Sequence, residues 1–223
     1  MKLRFASLSL LALGLLATVP AAAQGYYYSN GPTNGNLYAW AVNFGSTVSD
    51  TFTVNVVFNA EITGASFGMW LLPGDTLSSA ELSITSSENG GTSYFDQTVS
   101  FFQSGCVGNQ YGYNVCTETT NLNGPDLYNG TYWVNLQNAS VTNGDPVYWD
   151  ENFGGPSSTA LGQSLASQNS VGTIPSEAFT ISGYAGFAPN STTTTGTVPE
   201  LGSIMLFGSG VLALAGMLRR KLF

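Results

Sequence analysis

The residues with chemistry to offer are acids, amides and aromatics. Asp145, Asp150 and Glu151 fall within seven positions of one another, and Asn152 follows them directly. Three carboxylates and an amide could supply oxygens to calcium, which takes six to eight such ligands. Their spacing does not match an EF-hand loop, and carboxylates in a solvated turn would look the same. Trp133 is the second feature, because it falls on the polar side of its run, beside Asn135 and Gln137. An aromatic ring flanked by amides could stack on a sugar. The same pattern, and the one favoured here, arises when both faces of a strand are covered. Cys106 and Cys116 are the only cysteines. So close a pair in an oxidising compartment forms a disulfide, with a model stabilisation of about 2.8 kcal/mol for so short a loop.

Composition removes other chemistries. All five basic residues, Lys2, Arg4, Arg219, Arg220 and Lys221, sit at the termini, and the chain has no histidine. Between Phe5 and Leu218 there is therefore no cationic side chain to displace counterions from a phosphate backbone, which excludes nucleic acid as a partner of that region. Imidazole-based triads and histidine-ligated metal sites are excluded with it. Twelve of the thirteen carboxylates lie between Gln24 and Val198 with no side-chain cation to pair with. Paired carboxylates could also serve a glycosidase, but twelve scattered acids always supply some pair. A non-enzymatic protein without a dedicated cofactor is the expectation, with calcium at Asp145, Asp150 and Glu151 the one ion the residues suggest.

The elements that must position these residues read as strands. Phe52, Val54, Val56 and Phe58 alternate with polar residues, and so do Phe67, Met69 and Leu71. Further runs occur at Ala80 to Thr85, Phe95 to Phe101, Tyr111 to Val115 and Thr131 to Gln137, with shorter ones at Pro146 to Trp149 and Glu177 to Ile181. Turn signals such as Asn89-Gly90-Gly91 and Asn143-Gly144 separate them. Period-two alternation with this punctuation predicts an all-β fold, an antiparallel β-sandwich or jelly roll over residues 24–189. Residues 24–36 read as an irregular lead-in and 157–170 as a long loop. The 25 aromatics between Gln24 and Val198 argue for a packed interior rather than disorder.

The flanks are different. Residues 1–23 combine Lys2 and Arg4, a short apolar run and the small residues Ala21, Ala22 and Ala23. That is the pattern of a secretory signal peptide, with cleavage between Ala23 and Gln24. Residues 190–197 hold four consecutive threonines and read as a linker. Residues 198–223 carry Val198, Pro199 and Glu200, then 18 uncharged residues from Leu201 to Leu218, then Arg219, Arg220 and Lys221. As a helix, 201–218 would span about 27 Å, enough to cross a bilayer, and the basic end would stay cytoplasmic. Gly202, Gly208, Gly210 and Gly216 dilute its apolarity and would admit a partner helix closely.

This tripartite tail resembles the PEP-CTERM sorting signal of exported proteins of Gram-negative-type bacteria. Leu201 stands where that motif usually continues with a second proline. The resemblance implies handling by an exosortase-like membrane enzyme, passage through the inner membrane by the C-terminal helix, and delivery to the cell surface or extracellular matrix. The segments Gly130 to Asn138 and Gly144 to Asn152 are also similar to β-rich cargo of such proteins, which implies no activity. A carbohydrate-binding module with extracellular polysaccharide as partner, using Trp133, is the alternative expectation.

Overall fold

A computed structural model of the chain describes residues 24–152 and 164–186. The stretches expected to be a signal peptide, a Thr-rich linker and a sorting motif with a transmembrane helix lie outside the described residues. The described part is all β. Its strands are β1 (Gln24–Ser29), β2 (Ala39–Ala41), β3 (Thr47–Leu71), β4 (Leu77–Ser87), β5 (Gly90–Ser100) and β6 (Phe102–Gly108). They continue with β7 (Asn114–Asn121), β8 (Asp126–Val141), β9 (Tyr148–Asp150), β10 (Ala166–Gln168), β11 (Gly172–Ile174) and β12 (Phe179–Ala185). All twelve join one open antiparallel sheet with the order β1-β12-β3-β8-β4-β5, from which the remaining strands branch.

The organising element is β3, which runs for 25 residues and pairs with β7, β8, β9, β10 and β12. The sequence predicts two strands here, because polar residues separate the two apolar runs. The structure makes them one. It does so by a bulge: Val54 pairs with Gly130 and Asn59 with Tyr128, so β3 carries three more residues than β8 over that interval. An interruption of this kind bends a strand and increases its twist. It also spoils the predicted alternation, since Val54 is buried while Phe58, predicted to share its face, is exposed.

Each half of β3 then turns its own apolar set inward. Val48, Phe52 and Val54 do so in the first half, and Ala65, Phe67, Met69 and Leu71 in the second. Phe67 packs edge-on against Trp149, with ring centroids 5.1 Å apart, and lies close to Phe101 and Phe179. Tyr28 contacts both Phe52 and Phe179, so β1 ties the two halves of β3 to one core. Leu82, Ile84, Val134 and Leu136 extend that core across β4 and β8. Each such side chain contributes about 1.5–3 kcal/mol by leaving water. No cation lies among the described residues, so apolar burial and backbone hydrogen bonds hold the fold without side-chain ion pairs.

Two expected loops are partly strand. β1 occupies the first part of the lead-in by pairing with β12, and β10 lies inside the expected 157–170 loop, pairing with β3 and β11. Neither stretch is strongly alternating; a neighbouring strand recruits each through its backbone. Two glycines are required by close approach. A Cβ at Gly68 would meet Thr33 of the segment crossing that face, and one at Gly183 would meet the carbonyl of Glu61 at the β12 bulge.

Candidate functional site

The residues with most chemical character converge on a buried polar cluster at one end of the core. In the first half of β3, Val48, Asp50, Phe52 and Val54 share the inward face, so Asp50 is an acid at a core position. Its carboxylate is well supplied with donors. The Glu177 N–H donates to Oδ2 at 2.6 Å and the Thr51 N–H to Oδ1 at 2.6 Å. Asn30, just beyond β1, donates from Nδ2 to Oδ2 at 3.1 Å, and Ser176 donates at 3.4 Å. The Asn30 amide also reaches Ser164 Oγ at 2.9 Å, Ser176 Oγ at 2.6 Å and the Glu177 carbonyl at 2.7 Å. Asn152 closes the network by donating to the Asn30 carbonyl at 2.8 Å. Segments far apart in the chain meet here.

Glu177 and Glu151 stand beside this network without its donors. The two residues form an isolated antiparallel bridge. Directly opposed residues project to the same side of a sheet, with Cβ atoms about 5 Å apart. That side is the interior, since Glu151 follows Trp149 by two positions and Glu177 precedes Phe179 by two, and both aromatics are core. Both glutamates are fully buried, and among the described residues none of their four carboxylate oxygens has a hydrogen-bond partner.

The neighbouring Asp150 alternates to the opposite side. It accepts from the Gly35 N–H at 2.9 Å and from the Trp70 indole N–H at 2.7 Å. Trp70 in turn stacks on Tyr111 at 5.7 Å and lies 5.8 Å from Tyr113, which meets Tyr148 edge-on. A cleft of about 230 Å³ lined by Asn34, Asn36, Asn109 and Val115 adjoins this aromatic run.

Burial dominates the electrostatics, because a carboxylate removed from water resists ionisation. Desolvation raises Asp50 to about 7, against its hydrogen bonds from Glu177, Ser164, Thr51 and Ser176. Desolvation likewise raises Asp150 to about 7 against the Gly35 and Trp70 donors, and raises Glu151 to about 7 with help from the Asp150 charge. Glu177 is pushed well above the usual carboxylate range by burial and then by Asp50, Asp150 and Glu151. A fifth acid, Glu118, faces inward between Cys116 and Thr120, has no hydrogen-bond partner for its carboxylate among the described residues, and is raised to about 7 by burial alone.

The residues singled out in the sequence do not act together. Asp150 and Glu151 are neighbours on opposite faces, while Asp145 lies half-buried before β9, where Asn43 holds its carbonyl at 2.9 Å. Among the described residues, no three acidic or thiol side chains are gathered as a ready-made metal site. Trp133 is half-buried, paired with Thr51 on β3 and Thr85 on β4. The cysteines do bond: Cys106 and Cys116 form a disulfide joining β6 to β7. Sequence reasoning missed Asp50, Asn30 and Glu177. Parity was the available signal, since each occupies an inward position of an apolar alternation: Asp50 between Val48 and Phe52, Asn30 after Tyr28, and Glu177 before Phe179.

No family model matches the chain, and no curated protein is significantly similar to it.

Proposed function

We propose that the protein is an exported, non-enzymatic component of a cell surface or extracellular matrix, delivered by its C-terminal tail. The observation that carries this reading is the placement of charge. Every basic residue lies in one of two terminal segments, and those segments have the order of parts expected of a signal peptide and of a PEP-CTERM-like sorting signal. On this reading Ala23-Gln24 is the cleavage point, 201–218 is a transient transmembrane helix, and an exosortase-like enzyme recognises Val198, Pro199, Glu200 and the Arg219-Arg220-Lys221 end. The sheet is read as folding back on itself into a sandwich or jelly roll. Tyr28, in contact with both Phe52 and Phe179, supports that arrangement.

A non-enzymatic role is supported by the inaccessibility of the acids with altered proton affinity. A general acid or base must come within hydrogen-bond reach of its substrate, and Asp50, Glu151 and Glu177 have no exposed surface. Mass spectrometry of the protein recovered from its native host tests the sorting proposal. An N-terminus at Gln24 and loss of the Arg219-Arg220-Lys221 end are expected; recovery of the intact C-terminus in surface material would count against transient use of the helix.

A second reading, carbohydrate binding, is favoured by one feature. The Trp70–Tyr111–Tyr113–Tyr148 run leaves Tyr111 54% exposed beside an amide-lined cleft. Glycan-array binding abolished by Tyr111→Ala would support this platform, and binding abolished instead by Trp133→Ala would place the sugar on the other part of the sheet. No binding to any polysaccharide would leave the coat or matrix reading alone.

A further inference from the structure

We propose that Glu151 and Glu177 together hold one calcium ion inside the end of the core. Both carboxylates are completely buried, and all four of their oxygens lack partners among the described residues. The bridge between the two residues sets their side chains next to each other on the interior face. Asp50 has its lone pairs answered by backbone, amide and hydroxyl donors, and Asp150 has the Gly35 and Trp70 donors. The glutamate pair has nothing, in a region of the chain without Lys, Arg or His. Buried polar atoms without partners are rare in folded proteins and call for an ion, a water or a proton.

The donor set selects the class of ion. It is oxygen only, which suits a hard cation rather than zinc or copper. Among the described residues no three acids are gathered as a metal site, so two carboxylates leave the remaining positions to neutral oxygens. Ser164 and Ser176 bring hydroxyl oxygens to the adjoining network, where the Asn30 amide donates to both. A mixed and irregular shell of this kind fits calcium better than magnesium, which demands near-octahedral geometry and keeps its waters. Two glutamates also offset a divalent charge completely. The calcium that the sequence only suggests at Asp145, Asp150 and Glu151 is thereby relocated: Glu151 remains, Glu177 replaces Asp145, and Asp150 serves Gly35 and Trp70 instead.

The test is thermal unfolding of the purified full chain near pH 7.5, with EDTA, with millimolar calcium chloride, and with magnesium chloride at equal concentration. Calcium should raise the midpoint by several degrees over EDTA, and magnesium should not. Equilibrium dialysis should find one calcium per chain. Glu177→Gln or Glu151→Gln should abolish the calcium shift, whereas Asp145→Asn should leave it unchanged. Dialysis on the unsubstituted protein decides the matter even if the glutamine variants fail to fold. An equal response to magnesium, loss of the shift in Asp145→Asn, or absence of any calcium response would each overturn the proposal, the last by leaving the pair to share protons.

Discussion

Glu151 and Glu177 oppose each other across a single antiparallel bridge, fully buried and with no hydrogen-bond donor among the described residues on either carboxylate. Asp50 shows what the same burial looks like when satisfied, with donors from Thr51, Glu177, Asn30 and Ser176. The contrast separates structural acids from the pair assigned to calcium. Acids at inward positions cost stability unless something answers them, and a chain with no cation between Phe5 and Leu218 has only donors, protons or ions for that purpose.

Glu118 lies apart from that pair and gives a clean pH dependence. Burial raises its carboxyl from 4.5 to about 7. Below about pH 4.5 both folded and unfolded chains hold the proton, and the neutral acid costs least. Between about 4.5 and 7 the unfolded chain releases the proton first, so stability falls as pH rises, and above 7 the full penalty remains. Glu118→Gln should therefore unfold at a higher temperature than the unsubstituted chain at pH 8 and converge with it near pH 4. Parallel melting curves across that range would mean that Glu118 does not titrate with folding.

Asn30 is the keystone of the network around Asp50. Its amide donates toward Asp50, Ser164, Ser176 and the Glu177 carbonyl. Asn30→Ala should destabilise by about 1–3 kcal/mol, the cost of leaving buried acceptors unanswered. Asn30→Asp should be worse, because it replaces the donor with another acid where no Lys, Arg or His side chain is at hand. Denaturant unfolding of both variants measures the order.

Trp149 joins the core to this network. Its ring lies against Phe67 and Phe179, and its indole N–H donates to the Ala178 carbonyl at 2.9 Å. Trp149→Ala should cost about 3–5 kcal/mol through the cavity it leaves. Trp149→Phe should cost less, because the Gly68 N–H also donates to that carbonyl, at 3.0 Å. Equal losses in the two variants would show that the indole hydrogen bond, not volume, dominates.

The disulfide should act locally. Cys106 lies on β6, whose side chains are exposed apart from half-buried Gln103, while Cys116 is buried on β7. The loop-entropy model bounds the loss on Cys106→Ser/Cys116→Ser at about 2.8 kcal/mol. Because β6 buries so little, chymotrypsin should cut faster near Phe102 and Tyr111 before global unfolding changes by that amount. Unchanged cleavage there with a full loss of global stability would contradict a local role.

Much of this architecture is readable from residue order. Alternation at Phe67-Met69-Leu71, Ala80-Leu82-Ile84 and Tyr132-Val134-Leu136 predicts the central strands, because a half-buried strand repeats every two residues whatever its partners. Close cysteine spacing predicts the disulfide. The continuity of β3 through its bulge was not readable, nor was the recruitment of β1 and β10. Those depend on backbone pairing with strands distant in the chain, which side-chain pattern does not encode.

What the sequence determined by itself is a division of charge: a body with acids and no base, between basic ends, folding as antiparallel β structure. Only the tertiary structure decided which acids matter. Asp145, Asp150 and Glu151 are neighbours in sequence, yet strand alternation turns Asp150 and Glu151 to opposite faces and leaves Asp145 before the strand. Glu177, 26 positions after Glu151, comes opposite it because β12 and β9 both dock on β3. Proximity in a sheet is set by register between strands, and that register exists only once the strands have paired.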